Sequence, residues 1–457
     1  HMLIQKLQHL SKKVRHLDQL LASFITHGIH SPPAFADLMV SYSSTSSSHR
    51  AYLIYEHFHA PNLFLFNTLL RCIPPAAAMH RIVRELSEGG LLFDEITYTY
   101  GLGACSRSNS PSSLWFGRLL HGRIPKLGYE SDLQICSTLI YFYGCKRCAA
   151  SARRVFDEMP HRNIITWNAM LSGYCSNRNS REAILLFREM YRLERPNGTT
   201  AVCVLSAIAR SGDAETGSCV HACIEKTLHA PEEDPYIGTA IVDMYAKCGS
   251  LPNAMLMFDR MPTKNLVTWT AITTGLALHG DGEAALRFFD AMVAAGVTPN
   301  VVTFTSILSA CCNAGLVGEG MRLFREMKMK HGLEPGIQHY GCVVNMLGKA
   351  GYLKEACEMV LEMEGKADAV LWRMLLSASR AHGDAEMGEK VGRILLEMQE
   401  DCRKTEDSSE DFIALSNLYA VAQKWQQVEI LRTQMRAKDV AVKPGYASAS
   451  FASNRHF

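Results

Sequence analysis

The hydrophobic residues recur at helical spacing in short segments that end at glycine or proline. In the segment that begins at Glu283, four apolar residues stand at i, i+3, i+4 and i+7 and form one stripe along a helix: Ala285, Phe288, Phe289 and Met292. The preceding segment, 267–278, has helix length and ends before His279 and Gly280. Glycine commonly ends a helix because it adopts the left-handed conformation without steric cost. The pattern predicts paired helices separated by short turns.

These helix pairs repeat along the chain. The segment Arg162–Met170 (RNIITWNAM) returns 102 residues later as Lys264–Ile272 (KNLVTWTAI). With the same offset, Val155–Pro160 (VFDEMP) returns as Met257–Pro262 (MFDRMP). One period shared by separate features identifies a tandem array.

Within this period lie shorter repeats of about 31 to 38 residues, each with the pattern helix, turn, helix. Two short helices cannot bury both of their faces alone, whereas stacked neighbours share a continuous core. The sequence therefore predicts an all-α fold, a right-handed superhelical α-solenoid of helix-turn-helix repeats. The Phe, Trp and Met stripes are interpreted as its core and not as a cofactor site.

Composition and charge narrow the functional classes. Hydrophobic residues make up 47% of the 457 residues, which is enough for a large core. Lys+Arg is 47 and Asp+Glu 45, and a formal net charge of +2 excludes both a polybasic nucleic-acid coat and an acidic solvating tail. No apolar run approaches the roughly 18 residues of a membrane span, so no membrane partner is expected. Taken alone, the charge argues against a nucleic-acid partner.

Cysteine is abundant, but its pattern predicts neither disulfides nor a metal site. The 15 cysteines are odd in number and irregularly spaced, and no secretory signal is recognised, so reduced thiols are expected. Cys145 and Cys148 form a CxxC without the second pair of a zinc ribbon. We interpret Cys145 and Cys148 as small buried residues. The same interpretation applies to Cys219, Cys223, Cys311, Cys312 and Cys342. No cofactor is expected.

The repeats resemble the pentatricopeptide repeat family of organellar RNA-binding proteins, in the subclass that alternates standard, long and short motifs. Ile241–Gly249 (IVDMYAKCG) is similar to the short motif, and Val301–Phe304 (VVTF) with Leu308–Ala310 is typical of the long one. The short repeats are about Ala34–Asn62 (beginning at Ala34 or slightly earlier), Leu133–Asn163, Pro235–Asn265 and Ile337–Asp368, the last of which resembles the final short motif of editing-type members. The standard repeats are Leu63–Asp94, Ile164–Asn197 and Leu266–Asn300, and the long ones are Glu95–Asp132, Gly198–Asp234 and Val301–Gly336.

The C-terminal part resembles the extension motifs of editing-type members of this family. Leu371–Ala378 is similar to the first extension motif, and Leu415–Ala420 with Lys443–Gly445 to the second. The resemblance implies four parts, namely an N-terminal helical cap or partial repeat (1–33), the array (34–368), the extension (369–447) and a tail (448–457). In the family the extensions dock protein partners, although they could also cap the hydrophobic end of the array.

The resemblance also implies that each repeat contacts one RNA base with its fifth and last residues, while the second residue packs against the base. The base-reading residues carried over in this way are Asn67, Asp94, Thr99, Asp132, Ser137, Asn163, Asn168, Asn197, Thr239, Asn265, Thr270, Asn300 and Thr305. The base-sandwiching residues are Phe64, Ile165, Tyr236, Val267 and Val302.

The family's pairing rules turn these residues into a target sequence. Asn with Asp favours uracil, Thr with Asp favours guanine, a small hydroxyl residue with Asn favours adenine, and Asn with Asn favours a pyrimidine. These rules give the register 5′-U-G-A-Y-N-A-A-3′. Three repeats carry no polar fifth side chain, at Ala36, Val202 and Gly341. A competing interpretation is that Asn, Thr and Ser in first helical turns are caps worth about 1 kcal/mol each. Their recurrence at equivalent points favours base reading.

The chain shows no signature of an enzyme. A cytidine-deaminase-like domain needs His-x-Glu and Pro-Cys-x-x-Cys for its zinc chemistry. None of the 18 histidines is followed two residues later by Glu, and no Pro precedes a Cys. We therefore expect a site-recognition factor for C-to-U RNA editing that recruits a deaminase in trans through residues 369–447.

Two alternatives remain at the level of sequence. One is the same RNA binder in intron splicing or transcript stability, and the other is a protein-binding helical scaffold. The family implies a chloroplast or mitochondrial location. Lys6, Lys12, Lys13 and Arg15 precede the first acidic residue, Asp18, in the manner of a transit peptide, although a solvated helix face has the same pattern.

Overall fold

The computed structural model describes most of the chain, and its regular secondary structure is helical throughout the described part. The described residues are 16–27, 31–44, 48–57, 62–89, 91–363, 367–401 and 408–437. They divide into two compact bodies, His1–Ala240 (the N-terminal body) and Ile241–Phe457 (the C-terminal body). The predicted all-α class is confirmed.

The helices have the length and order that the repeats predict. From the N-terminus they are α1 (16–26), α2 (Pro32–Ser44), α3 (Ser48–His57), α4 (Leu63–Cys72), α5 (Pro75–Glu88), α6 (Glu95–Arg107), α7 (Ser112–His121), α8 (Leu133–Cys145), α9 (Ala149–Glu158), α10 (Ile164–Ser176), α11 (Ser180–Leu193), α12 (Gly198–Ser211) and α13 (Ala214–Thr227). They continue with α14 (Pro235–Lys247), α15 (Leu251–Arg260), α16 (Leu266–Leu278), α17 (Gly282–Ala294), α18 (Val301–Ala314), α19 (Val317–Met329), α20 (Ile337–Lys349), α21 (Leu353–Leu361), α22 (Ala369–Ala381), α23 (Ala385–Asp401), α24 (Ser408–Val421) and α25 (Trp425–Ala437). A 3₁₀ turn covers Pro125–Leu127.

From α2 onward, even-numbered helices are the first helices of their repeats and odd-numbered ones the second. In the N-terminal body α6 packs on α8 and α8 on α10, and in the C-terminal body α16 packs on α18, α18 on α20 and α20 on α22. Second helices pack between successive first helices, as α11 does against α10 and α12. Each body is therefore a stack of helix pairs, as expected of an α-solenoid.

The sequence repeat reproduces one core contact in both bodies. The rings of Phe156 and Trp167 meet edge to face at 4.8 Å, and those of Phe258 and Trp269, 102 residues further on, meet at the same distance. Both tryptophans are buried. Edge-to-face aromatic pairs add about 0.5–1.5 kcal/mol to the free energy of area burial. The aromatic stripes are thus core, as predicted.

Small residues let the first helices approach each other closely. A Cβ placed on Gly144 of α8 would lie 2.8 Å from the Cα of Gly173 of α10. At the equivalent place in the C-terminal body, a Cβ on Gly275 would lie 2.3 Å from the Cβ of Ala246. Real Cβ atoms do not come so close, so side chains at these glycines are excluded by the neighbouring helix.

Polar side chains also join successive first helices at their C-terminal ends. The last four carbonyls of a helix have no partner within it and need one elsewhere. In each case a side chain on the next first helix, or on the residue directly after it, donates to a carbonyl at or next to the end of the preceding first helix. The pairs are Lys146 to Ser108, Asn177 to Gly144, Arg210 to Cys175, His279 to Ala246 and Asn313 to Ala277. These bonds fix the register of one repeat on the next.

The cysteines among the described residues are free thiols with mixed exposure. Cys311 and Cys312 are buried as predicted, and Cys148, Cys223 and Cys342 are only half-buried. The prediction is wrong for Cys145 and Cys219, which are exposed. Cys219 lies on α13 outside the buried face that carries Val220. Burial raises the pKa of the Cys105 thiol to about 12, which keeps it protonated near neutral pH.

A bidentate ion pair joins two helices in the C-terminal region. Arg373 of α22 donates from Nε and Nη2 to the two carboxylate oxygens of Asp411 of α24, at 2.7 and 3.0 Å. Asp411 is buried. Removing one partner of such a pair leaves the other charge uncompensated, so the contact fixes how α24 packs on α22. Across the described helices, no stretch is both long and apolar enough to cross a membrane.

Candidate nucleic-acid interface

The last residue of each repeat is the N-cap of the next repeat's first helix. The side-chain oxygen accepts the backbone N–H three residues on, at 2.7 to 3.0 Å, for Asp94, Asp132, Asn163, Asn197, Asn265 and Asn300. The capping interpretation is therefore correct for these six residues. It does not compete with a second role, because a cap uses one oxygen and leaves the other polar atom of the side chain for a different partner.

Two predicted pairs are brought together by a direct side-chain hydrogen bond. Nδ2 of Asn67 donates to Oδ1 of Asp94 at 3.0 Å. Nδ2 of Asn168 donates to Oδ1 of Asn197 at 3.1 Å. In both pairs the fifth residue of one first helix meets the cap of the next.

Four fifth residues with a hydroxyl group are arranged differently. Each donates to the backbone carbonyl four residues earlier in its own helix, at 2.6 to 3.0 Å, and these residues are Thr99, Ser137, Thr270 and Thr305. Oγ1 of Thr270 also lies 3.1 Å from Oγ1 of Thr303, which donates to Oδ1 of Asn300. This pair is therefore joined through a third residue.

Thr99 and Ser137 are not joined to their predicted partners in this way. No hydrogen bond among the described contacts links Thr99 with Asp132 or Ser137 with Asn163. Thr239 is nearly buried in the N-terminal body. Its predicted partner, Asn265, is exposed and caps α16 in the C-terminal body.

Sequence reasoning missed the third residue of the first helix. Oγ1 of Thr97 lies 2.7 Å from Oδ1 of Asn67, and Oγ1 of Thr200 lies 2.6 Å from Oδ1 of Asn168. Both threonines are buried. The signal in the sequence was a threonine at the third position of several repeats, Thr303 among them.

His339 takes the threonine's place in the repeat that begins at Ile337. Its Nδ1 accepts the backbone N–H of Gly336 at 3.0 Å, which assigns the ring proton to Nε2. Nε2 then donates to the carbonyl of Val301 at 2.8 Å and lies 3.1 Å from Oγ1 of Thr305. The hydroxyl of Thr305 is thus held by two neighbours, and the last residue of its repeat, Gly336, offers no side chain.

The second residues of several first helices are large, apolar and exposed. The five predicted base-sandwiching residues expose 54% to 78% of their surface: Phe64, Ile165, Tyr236, Val267 and Val302. Two equivalent residues that the prediction omitted, Ile96 and Val370, are exposed as well. Recurrent exposed apolar side chains at one helical position are informative, because folding gains nothing from leaving them in water.

The repeats without a polar fifth residue differ from one another. Ala36 is buried and Val202 is half-buried. Gly341 lies in a cavity of about 410 Å³ whose lining includes Thr305, Asp368 and Val370. A Cβ at Gly341 would meet only Leu371, at an ordinary 3.7 Å. The site therefore has room for a side chain.

Hydrogen bonds control the charge of the Asp94 carboxylate. Burial acts to raise the pKa of Asp94, but the backbone N–H and hydroxyl of Thr97 and the amide of Asn67 donate to the carboxylate and outweigh it. The net effect is a lowered pKa. Asp94 is accordingly an ionised acceptor at neutral pH. In the part of the chain that the structure describes, no cluster of His, Cys, Asp or Glu could hold a metal ion.

Stacked helix pairs whose first helices expose an apolar second residue beside polar fifth and cap residues define a helical-repeat binding protein. Matches to protein-family models identify the family of repeat proteins, and PPR in their descriptions stands for pentatricopeptide repeat. The PPR repeat family model matches residues 162–210, 264–313 and 299–338, the PPR repeat model matches 239–266 and 339–366, and the E motif model matches 382–449. The chain belongs to the pentatricopeptide repeat family.

Relatives from Arabidopsis thaliana agree with this assignment. One pentatricopeptide repeat-containing protein is 45% identical over 458 residues, covering 96% of this chain and 97% of the relative. A second, designated chloroplastic/mitochondrial, is 34% identical and covers 91% of this chain and 66% of the relative. The chloroplastic protein CRR2 is 32% identical, with 92% and 64% coverage. The chain thus spans about two thirds of the length of the latter two.

Solved structures show the same fold. The crystal structure of maize PPR10 matches with a TM-score of 0.68 at 18% identity, over 92% of this chain and 61% of PPR10. PPR10 in complex with an 18-nt psaJ RNA element matches with the same TM-score at 20% identity, over 88% and 60%. The likeness confirms the α-solenoid.

Proposed function

We propose that this protein binds single-stranded RNA in a sequence-specific manner, with one base per repeat. The observation that carries the proposal is the side-chain pair of fifth residue and cap, seen directly in Asn67–Asp94 and Asn168–Asn197. The fifth residue of each pair lies on a first helix that also exposes a large apolar second residue, Phe64 or Ile165. An apolar surface beside a small polar group suits a base, which has an apolar face and a polar edge.

The paired amide retains the capacity to contact a base. An asparagine Nδ2 carries two hydrogens, and the cap takes one of them. The second hydrogen can donate to an acceptor on the Watson–Crick edge of an unstacked base. A uracil or cytosine offers such an acceptor, in agreement with the family rules for Asn67 and Asn168.

The proposed target follows the order of the repeats. Applying the family rules to the pairs from Asn67/Asp94 to Thr270/Asn300 gives 5′-U-G-A-Y-N-A-A-3′. The repeat that contains Val202 specifies no base. Because the net charge is only +2, phosphate contacts should contribute little, and affinity should fall modestly with salt.

A binding assay tests the base-reading proposal. Fluorescence anisotropy would compare an RNA that carries the register with a scrambled RNA of equal composition, in moderate salt. We expect at least about tenfold tighter binding to the register RNA, which corresponds to about 1.4 kcal/mol. Equal affinity for both RNAs would contradict the proposal. Binding to neither, with capture of a protein partner instead, would favour the scaffold alternative.

We further propose a role in organellar C-to-U RNA editing. In this role the protein recognises the site and recruits a deaminase or other editing proteins in trans through residues 369–447. The E motif match at 382–449 supports this, as do relatives designated chloroplastic or mitochondrial. The proposed location is accordingly a chloroplast or mitochondrion.

The test is a comparison of organelle transcripts with and without the protein. Loss of C-to-U conversion at a site that follows the register is the expected result. Unchanged editing together with an unspliced intron would replace this role with the splicing alternative.

A further inference from the structure

We infer that the buried third residue of a first helix, Thr97 or Thr200, is a specificity-determining residue that fixes the base-reading asparagine of the preceding repeat. This inference rests on the proposed RNA binding. The threonine itself does not face the RNA. It acts by deciding which end of the asparagine amide is presented.

The atoms around Asn168 assign its amide. The backbone N–H of Thr200 donates to Oδ1 of Asn197 at 3.0 Å, so this oxygen is an acceptor. It faces Nδ2 of Asn168 at 3.1 Å, while the other end of that amide, Oδ1, lies 2.6 Å from the hydroxyl of Thr200. A flipped amide would place two oxygens against each other at the cap. The hydroxyl and the cap together therefore hold one orientation.

The same arrangement occurs independently at Asn67. Oγ1 of Thr97 lies 2.7 Å from both Oδ1 of Asn67 and Oδ1 of Asp94, so its one proton is shared between two oxygens, and Nδ2 of Asn67 lies 3.0 Å from Oδ1 of Asp94. The hydroxyl of Thr200 likewise lies 3.0 Å from Oδ1 of Asn197, in addition to its shorter contact with Asn168. Thr97 and Thr200 are both buried, so water does not compete for their hydroxyls. Two repeats with different caps, Asp94 and Asn197, thus share the contact between a buried threonine hydroxyl and the asparagine oxygen.

A threonine at this position need not have the role, and Thr166 shows the difference. Its hydroxyl accepts from the backbone N–H of Asn163 at 3.0 Å and donates to the carbonyl of the same residue at 2.7 Å. The fifth residue of the preceding repeat, Ser137, donates to Leu133 of its own helix instead. Thr166 is therefore a cap only and provides a matched control. Asn163 and Asn197 both form a capping box with their threonine.

Removal of the hydroxyl should affect one base. Without the bond to Oδ1, only the bond to Asn197 holds the Asn168 amide, so a rotation that breaks this bond costs less and offers either the N–H or the oxygen of the amide to the base. A purine and a pyrimidine present different edges, so this rotation weakens the discrimination between them. Contacts with the other bases are left in place, and total affinity for RNA should change little.

The experiment uses the full chain and a set of single-base RNA variants. The measured quantity is the affinity for RNA of wild type and of the variants Thr200→Val, Thr200→Ser and Thr166→Val. Three RNAs are compared, namely the register RNA, an RNA with a purine at the fourth base and an RNA with a changed third base. Wild type should prefer the pyrimidine by about tenfold. Thr200→Val should lower the pyrimidine preference at the fourth base to about twofold or less and leave the preference at the third base unchanged. Thr200→Ser should restore the preference at the fourth base, and Thr166→Val should not change it.

Every outcome decides the matter. If Thr200→Val keeps the wild-type preference at the fourth base, the inference is wrong and the threonine is a cap alone. If Thr166→Val loses that preference as well, the effect belongs to helix capping and the inference is again wrong. A wild type without any base preference would overturn the proposed function and the inference with it. Should Thr200→Val not fold, Thr97→Val read at the first base, the uracil, makes the same test.

Discussion

Nδ2 of Asn168 donates to Oδ1 of Asn197 at 3.1 Å, across 29 residues of sequence. The two residues belong to successive repeats, and Asn197 at the same time caps α12. One side chain thus contributes to the stability of a helix and to the chemistry of the proposed base contact. Mutations at such positions can separate the two contributions.

Replacement of Asn197 separates the cap from the base preference. Asn197→Asp should keep the stability of wild type, because Asp and Asn are equally good caps, and should shift the fourth base toward uracil according to the family rules. Asn197→Ala should lose about 1 kcal/mol of stability together with the pyrimidine preference. Urea unfolding and RNA binding measure the two effects. An aspartate variant with unchanged base preference would refute the assignment of this residue.

A new base contact can be built at Gly341. Gly341→Asn would create an asparagine at the fifth position with Asp368 as the last residue, the same pair as Asn67 and Asp94. Asp368 already caps α22 by accepting from Leu371 at 3.1 Å, and a Cβ fits beside Leu371. We expect a gained preference of about tenfold for uracil two bases after the register. Gly341→Ala is the control and should gain none.

Close helix packing predicts a steric effect at Gly275. Gly275→Ala should destabilise the protein by about 1–3 kcal/mol, because its Cβ would overlap Ala246 on the neighbouring helix. Gly318→Ala, also in a helix but with open space around it, should be neutral or gain up to about 1 kcal/mol. Thermal unfolding of both variants makes the comparison. Equal stability of the two would show that the first helices can separate at little cost.

The lowered pKa of Asp94 predicts a loss of stability in acid. The folded-state pKa lies below the unfolded one, so the contribution is fully present above about pH 4 and is lost as the pH falls through the folded value. Asp94→Asn, which cannot ionise, should lose less stability than wild type between pH 6 and the acid limit of folding. Urea unfolding of both proteins at several pH values measures this difference. Identical pH profiles of stability would contradict the stabilising role of the ionised Asp94 carboxylate.

Much of the fold could be predicted from the sequence, because the same pattern of apolar residues and helix ends occurs in every repeat. The segment around Trp167 returns around Trp269, and the structure gives both the same aromatic contact at 4.8 Å. Helix ends were equally clear, since α16 ends at Leu278, directly before the predicted His279 and Gly280. Exposure was harder to predict, and Cys145 and Cys219 were wrongly placed in the core. A thiol has the size of a core residue but packs there only if its helical position faces a neighbour.

The candidate site was predicted in its members and not in its connections. The resemblance to the family named Asn67, Asn168 and their caps as well as the second residues, and their role as a binding site stays a prediction. It gave no sign that Asn67 bonds directly to Asp94 while Ser137 bonds to its own helix. A side chain's partner depends on rotamers and on the distance to the next helix, and these are set by packing across residues far apart in sequence.

The sequence by itself determined the helix pairs, their stacking and the family, because each follows from periodic positions of apolar residues, glycines and caps. Only the tertiary structure decided which polar side chains meet. It placed the hydroxyl of Thr200 against the amide of Asn168, 32 residues earlier in the chain, and left the similar Thr166 on its own cap. The reason is physical, since a hydrogen bond requires a separation of about 3 Å and a suitable angle, and a residue pattern specifies neither.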